Sequence, residues 1–248
     1  LFAVNKAQAE FRREVGRGVD IVDTLNGRLI STTDFVKTAT DLTKQFGFNA
    51  TAVFSNNNLQ VASELTNLMG LTAEEAANFA KFSQTTGTNL DQNLELVVDQ
   101  VGAINVSNKS AVTQAQIFRE IGKTSSSIAL TFQGNTLQLA EAAQNALILG
   151  LNLQQVDSIA SNLLNIESSI AAEFEAEVIS GKQLNLERAR FFALTNDLNG
   201  LTNELKNNQE AISSFANGTR IEQEAIAGAL GMSREEMADM IFQQRLQL

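Results

Sequence analysis

Ala146-Leu147-Ile148-Leu149-Gly150-Leu151-Asn152-Leu153-Gln154-Gln155 reads as one helix closing and the next opening within three residues. Gly150 supplies the left-handed residue that ends a helix. Asn152 is an N-cap, and Gln155, three positions on, completes a capping box. Leu151 stands where it can staple onto Val156 at the fourth helical position. The pattern occurs twice more, as Met69-Gly70-Leu71-Thr72 with Glu75 and as Leu230-Gly231-Met232-Ser233 with Glu236. Its staples there are Leu71 with Ala76 and Met232 with Met237. These corners predict short helices that fold back on one another.

The glycines of the three corners are separated by 80 and 81 residues. The flanks agree in kind: Val61 to Gln84 (VASELTNLMGLTAEEAANFAKFSQ) aligns with Glu141 to Leu164 (EAAQNALILGLNLQQVDSIASNLL). This pattern fits a degenerate helical repeat of about 80 residues. It also fits three independent corners of one design, since any helix–Gly–cap–helix junction looks alike.

Further breaks are expected at Gly47, Gly87, Asn105 to Ser110, Gly134, Gly181 and Gly200. Between them apolar residues recur with a period near 3.6, as in Leu59, Ala62, Leu65 and Met69. The least decided stretch is Ser125 to Phe132, strand or frayed helix. The expected fold is all-α: roughly ten to thirteen short antiparallel helices of about 10 to 18 residues. Along the chain we divide a helical lead-in, residues 1–30, from a repeat-like region, residues 31–248, with modules near 31–110, 111–190 and 191–248. A single helix of this length would reach about 370 Å, and the corners forbid it. Sustained heptads are missing, so it is not a simple coiled coil.

Composition excludes several function classes. The 248 residues include no Pro, Cys, His, Trp or Tyr. Average usage predicts roughly a dozen prolines, and their absence leaves helices to be ended by other means. Without His or Cys the chain lacks the side chains that do most near-neutral proton transfer, soft-metal ligation and thiol chemistry. We therefore expect no enzyme and no cofactor. The net charge is −10 and uneven: residues 139–248 hold 15 acids and 7 bases, for −8. An acidic surface repels phosphate backbones, so no sequence-specific nucleic-acid binding is expected. Long-range steering favours a basic partner or none. No segment has the ~20 apolar residues of a membrane span.

Leu1-Phe2-Ala3-Val4-Asn5-Lys6 has neither an initiator methionine nor the apolar core of a signal peptide, so the chain is expected to be part of a longer polypeptide. The sequons at Asn49, Asn105, Asn108 and Asn217 are read as chance in an Asn-rich sequence.

Several constellations invite chemistry and are better explained otherwise. Phe79, Phe82, Phe191 and Phe192 are read as helix packing rather than a ligand cage. Glu173 and Glu177 share a helical face with Glu175 nearby, half of a carboxylate metal site in principle. Four-helix metal sites usually add a His, so a solvated face is the reading adopted. Glu74 with Glu75, and Glu235 with Glu236, sit in first turns, where they complement the helix dipole. Thr195 to Gly200 imitates an EF-hand start but lacks its first Asp, and Lys206 stands where the bidentate Glu belongs. Gly16 and Gly18 follow a helix-like stretch and make no phosphate cradle. Arg12, Arg13 and Arg17 read as a solvated basic stripe. No residue is assigned as catalytic, cofactor-binding or metal-binding.

Three stretches resemble the tape-measure proteins of tailed bacteriophages: Leu25 to Gly47 (LNGRLISTTDFVKTATDLTKQFG), Leu164 to Asn196 (LNIESSIAAEFEAEVISGKQLNLERARFFALTN) and Ile226 to Ile241 (IAGALGMSREEMADMI). The likeness runs from about residue 22 to 245 and rests on helix-corner patterns, with no catalytic signature. The resemblance implies a structural virion protein of the tail lumen, present in a few copies, a trimer or hexamer, that acts in tail assembly and genome delivery. Its implied partners are other copies of itself and tail tube, tail hub or portal-vertex proteins. Length-setting stretches of that family are long and helical, whereas this chain is broken into short helices, as befits a folded module rather than the ruler. The rival readings are an internal capsid or cargo protein ejected with DNA, a tail-tip cell-wall hydrolase module, and a generic helical scaffold.

Overall fold

The structure, a computed structural model, describes residues 32–46, 56–85, 90–108 and 110–246. Roughly four-fifths of these are helical, and none forms a strand. Fourteen helices are described: α1 Thr32–Phe46, α2 Asn56–Asn67, α3 Ala73–Thr85, α4 Leu90–Asn108, α5 Gln114–Lys123, α6 Ser126–Thr131, α7 Thr136–Ile148, α8 Leu153–Leu164, α9 Ile166–Ser180, α10 Glu187–Leu194, α11 Leu198–Asn207, α12 Gln209–Asn217, α13 Arg220–Ala229 and α14 Arg234–Leu246. The all-α expectation holds, with one helix more than its upper count.

All three glycine corners form as read. Gly70, Gly150 and Gly231 have φ of 68°, 76° and 70°. Leu151 N–H donates to Ala146 O and Met232 N–H to Ala227 O, the six-residue closure of a Schellman ending. The boxes are reciprocal: Glu75 N–H donates to Thr72 Oγ1 while Thr72 N–H donates to Glu75 Oε2, and Asn152 with Gln155 and Ser233 with Glu236 do the same. Every staple residue is buried. Two more boxes, Thr113 with Gln116 before α5 and Thr219 with Glu222 before α13, lack the preceding left-handed glycine.

Ser125 to Phe132, open between strand and helix, is a short helix: the Ser125 hydroxyl caps α6 by accepting Ile128 N–H. Other breaks are corrected. α4 runs through Asn105 to Asn108, so that break falls later, before Thr113. Gly200 breaks nothing. It lies in the first turn of α11, where its N–H donates to the capping Asp197 side chain, and a Cβ there would overlap the Phe192 ring. The EF-hand look-alike is thus a helix corner. Gly134 and Gly181 do sit between helices, at positive φ. Gly47, Gly87, Asn49, Gly16, Gly18 and the Arg12, Arg13, Arg17 stripe lie outside the described residues.

Backbone contacts divide the chain into two compact units, one of residues 1–99, 113–123 and 134–136, the other of 100–112, 124–133 and 137–248. In the first, α1 packs on α2 and α3, α2 on α3, and α3 on α5. α1 presents Phe35, Ala39 and Leu42, a helical stripe, to this core. α3 buries three alanines with Phe79 and Phe82, which lets α5 approach closely. Phe79 meets Phe118 edge-on at 5.0 Å between ring centroids. Gly122 is required at the crossing, because a Cβ would stand 2.5 Å from Glu75 O. Arg119 of α5 donates to Met69 O and Gly70 O, carbonyls that the end of α2 leaves open.

In the second unit α8 contacts α6, α9, α10 and α11, while α13 contacts α9, α12 and α14. The two glycine corners here pack reciprocally. Gln243 lies over Gly150, and Asn162 lies over Gly231 and donates to its carbonyl at 3.0 Å. Each of these side chains stands twelve residues beyond the glycine of its own corner. Gln155 and Glu236, each five beyond its glycine, meet one another at 3.3 Å. The α7–α8 and α13–α14 corners thus touch through residues at matching offsets, each glycine under a side chain of the other pair.

The corners generate two predictions. A valine at Gly150 or Gly231 must adopt a left-handed backbone and displace Gln243 or Asn162. Either variant should lose at least ~1–2 kcal/mol of unfolding free energy in denaturant titration. Gly228, in α13 with nothing near its missing Cβ, is the contrast: Gly228→Ala should gain about 0.5–1 kcal/mol. The second concerns acid. The Glu236 carboxyl is held below its ordinary value, first by the Ser233 N–H it accepts, then by the Ser233 hydroxyl and Gln155. Its folded value lies below its unfolded one, so its contribution is present above the ordinary carboxylate range and lost as pH falls through the lowered value. Amide protection at the start of α14, taken relative to the intrinsic exchange rate at each pH, should fall over that range in the native chain and stay flat in Glu236→Gln.

Candidate interaction surface

α9 is built inside out. Its buried residues are Ser169, Glu173 and Ala176. Its large apolar residues point to solvent: Ile166, Ile170, Phe174 and Val178 are 44, 50, 67 and 66% exposed. Successive members are four apart, one unbroken ridge along the helix. An ordinary surface helix does the reverse.

The cause of the inversion lies in the loop between α9 and α10. α9 ends at Gly181, φ 65°, whose N–H donates to Glu177 O. The chain then turns into α10 through Leu184 and Leu186, both fully buried, and Asn185, at φ 53°. The N–H groups of these two buried residues need acceptors. Glu177 Oε1 accepts Leu184 N–H at 2.8 Å, and Glu173 Oε1 accepts Leu186 N–H at 2.7 Å. Asn208 donates to Leu184 O. The other Glu173 oxygen pairs with Arg190 of α10, both side chains about one-tenth exposed, and Arg190 also donates to Ser169 Oγ at 3.2 Å. Two carboxylates one turn apart therefore clip the loop to α9, and they face inward to do so.

This corrects the solvated-face reading of Glu173 and Glu177: Glu173 is a buried structural ion, Glu177 is half-buried, and of the three only Glu175 is exposed. Among the described residues no three His, Cys, Asp or Glu side chains are grouped to hold a metal. Phe79 and Phe82 are core, but Phe191 is exposed and stacks edge-on with half-buried Phe192. Glu74 is exposed, and Glu75 doubles as cap and partner of Lys123 at 3.5 Å. Glu235 pairs with Arg234 and Glu236 caps α14. Among the described residues no helix is long and apolar enough to cross a membrane.

No protein-family model, no curated protein and no solved structure matches the chain.

Removing Glu173 leaves Arg190 buried without its carboxylate and orphans Leu186 N–H. Glu173→Ala should cost about 3–5 kcal/mol in chemical denaturation. Glu173→Leu with Arg190→Met should recover most of that and retain a deficit of about 1–3 kcal/mol from Leu186 N–H alone.

Proposed function

We propose that this chain is a non-enzymatic structural component of a bacteriophage particle, a tape-measure-like module of the tail lumen that acts in tail assembly and genome delivery. The observation that carries the reading is the outward apolar ridge of α9. It lies inside Leu164 to Asn196, one of the stretches that resemble tape-measure proteins. Exposed apolar patches of this kind mark surfaces that bind other macromolecules. Catalysis would rest on Asp, Glu or Lys, since His and Cys are absent. The described carboxylates with a resolved shift, Glu222, Glu235 and Glu236, are all lowered, away from neutrality and away from general-acid duty near pH 7. Other copies of the chain and tail tube, tail hub or portal-vertex proteins are the partners of this reading.

The test is mass spectrometry on purified particles separated into tails and DNA-filled heads. The protein should fractionate with tails at a few copies each. Recovery from heads would move it to the capsid interior. Absence from particles, or hundreds of copies like a tube subunit, would overturn the reading. Clearing of peptidoglycan in a zymogram would replace it with the hydrolase.

A further inference from the structure

We propose that the α9 ridge is the docking site for a basic amphipathic helix of a different chain. This goes beyond the virion reading and stands without it. Ile166, Ile170, Phe174 and Val178, joined by Ile179, expose roughly 500 Å² of apolar surface, at the upper end for the largest patch on a monomer. A standard interface buries about 800 Å² per partner, so the ridge supplies most of the core of one. Its shape favours a helix: a row of side chains four apart fits the groove between two such rows on a second helix, crossing near −50°.

Charge decides what that helix carries. α9 holds four acids, Glu167, Glu173, Glu175 and Glu177, and no base. Glu173 and Glu177 are spent on the loop and Arg190. Glu167 and Glu175 lie together on the adjoining row, both exposed, and neither has a base within ion-pair distance among the described residues. Arg188 of α10, exposed, is engaged with Glu204. A second copy seated antiparallel about a two-fold would set the two glutamate rows against each other, like charge on like. A helix with Leu or Ile four apart and Lys or Arg along one edge would match both the ridge and the row beside it.

The experiment uses the full chain and two fluorescent synthetic helices of about eighteen residues. They share an apolar face with Leu four apart and carry either Lys or Glu along its edge. Anisotropy titration should show the Lys helix binding at least about tenfold tighter than the Glu helix. Phe174→Ser, a change at an exposed position, should weaken the Lys helix about tenfold, while Phe242→Ser on α14, 60% exposed in the native chain, should not. Glu167→Gln with Glu175→Gln should erase the preference between the two helices and leave circular dichroism unchanged. Three results overturn the proposal: equal binding of both helices, equal loss in Phe174→Ser and Phe242→Ser, or a dimer of the chain in sedimentation velocity that Phe174→Ser abolishes. The last assigns the ridge to a second copy.

Discussion

The rest of the second unit depends on a helix that ends in a left-handed glycine and restarts after two residues. Without proline, something else must stop each helix, and a bare Cα at positive φ does so at Gly150 and Gly231. The same bareness is then used a second time. Each glycine leaves a recess into which the partner helix lowers a side chain, Gln243 over Gly150 and Asn162 over Gly231. A Cβ at either place would end the helix badly and hold the two hairpins apart. Backbone conformation and tertiary packing are thus one constraint, applied once at each corner. This gives physical content to the 81-residue interval: the two corners it separates pack on each other. The Gly70 corner, in the other unit, takes a different partner, Arg119, which reaches its open carbonyls.

What is legible in the sequence is local. Gly–apolar–cap–x–x–Glu/Gln is a closed set of backbone hydrogen bonds written within six residues, so Thr72, Asn152 and Ser233 are readable as caps. The boxes at Thr113 and Thr219 carry the same Thr-x-x-Gln/Glu pattern but stand out less, because no left-handed glycine precedes them. Gly200 misleads for the complementary reason: glycine is permissive, so without its surroundings it reads as a break. There the helix needs it because the Phe192 ring occupies the space of a Cβ. Phe191 and Phe192 are adjacent and alike in sequence, yet one is exposed and the other half-buried, which only the third dimension assigns.

The α9 surface is half legible. The ridge Ile166, Ile170, Phe174, Val178 stands in the sequence at a spacing of four, and by the usual rule it is the inward face. The carboxylates opposite would then be solvated. Both assignments reverse because the N–H groups of Leu184 and Leu186, seven and thirteen residues from their acceptors, need partners. No periodicity within α9 reports the demands of a loop beyond its end. The hidden signal is the pairing of Glu173 and Glu177 with a glycine-terminated segment rich in buried leucine.

Hydrophobicity alone would rotate α9. Burying about 500 Å² is worth on the order of 10 kcal/mol at the usual 25 cal/mol per Å², more than the clip recovers from one ion pair. Two features prevent the rotation. The contact of α9 with α13 is the most extensive between described helices, and the residues that α9 buries beside Glu173 are small, Ser169 and Ala176, while α13 buries Ile226, Ala227 and Ala229. Turning Phe174 into positions that Ser169 and Ala176 now fill would overpack them, and overpacking costs as surely as exposure does. The loop clip then sets the azimuth, because any large turn of the helix withdraws both acceptors and leaves Arg190 buried without its carboxylate. The small-residue seam and the clip therefore hold the apolar ridge outward against its own solvation. The free energy that the fold forgoes along this ridge is what a partner helix would recover on docking, less the several kcal/mol that association itself costs.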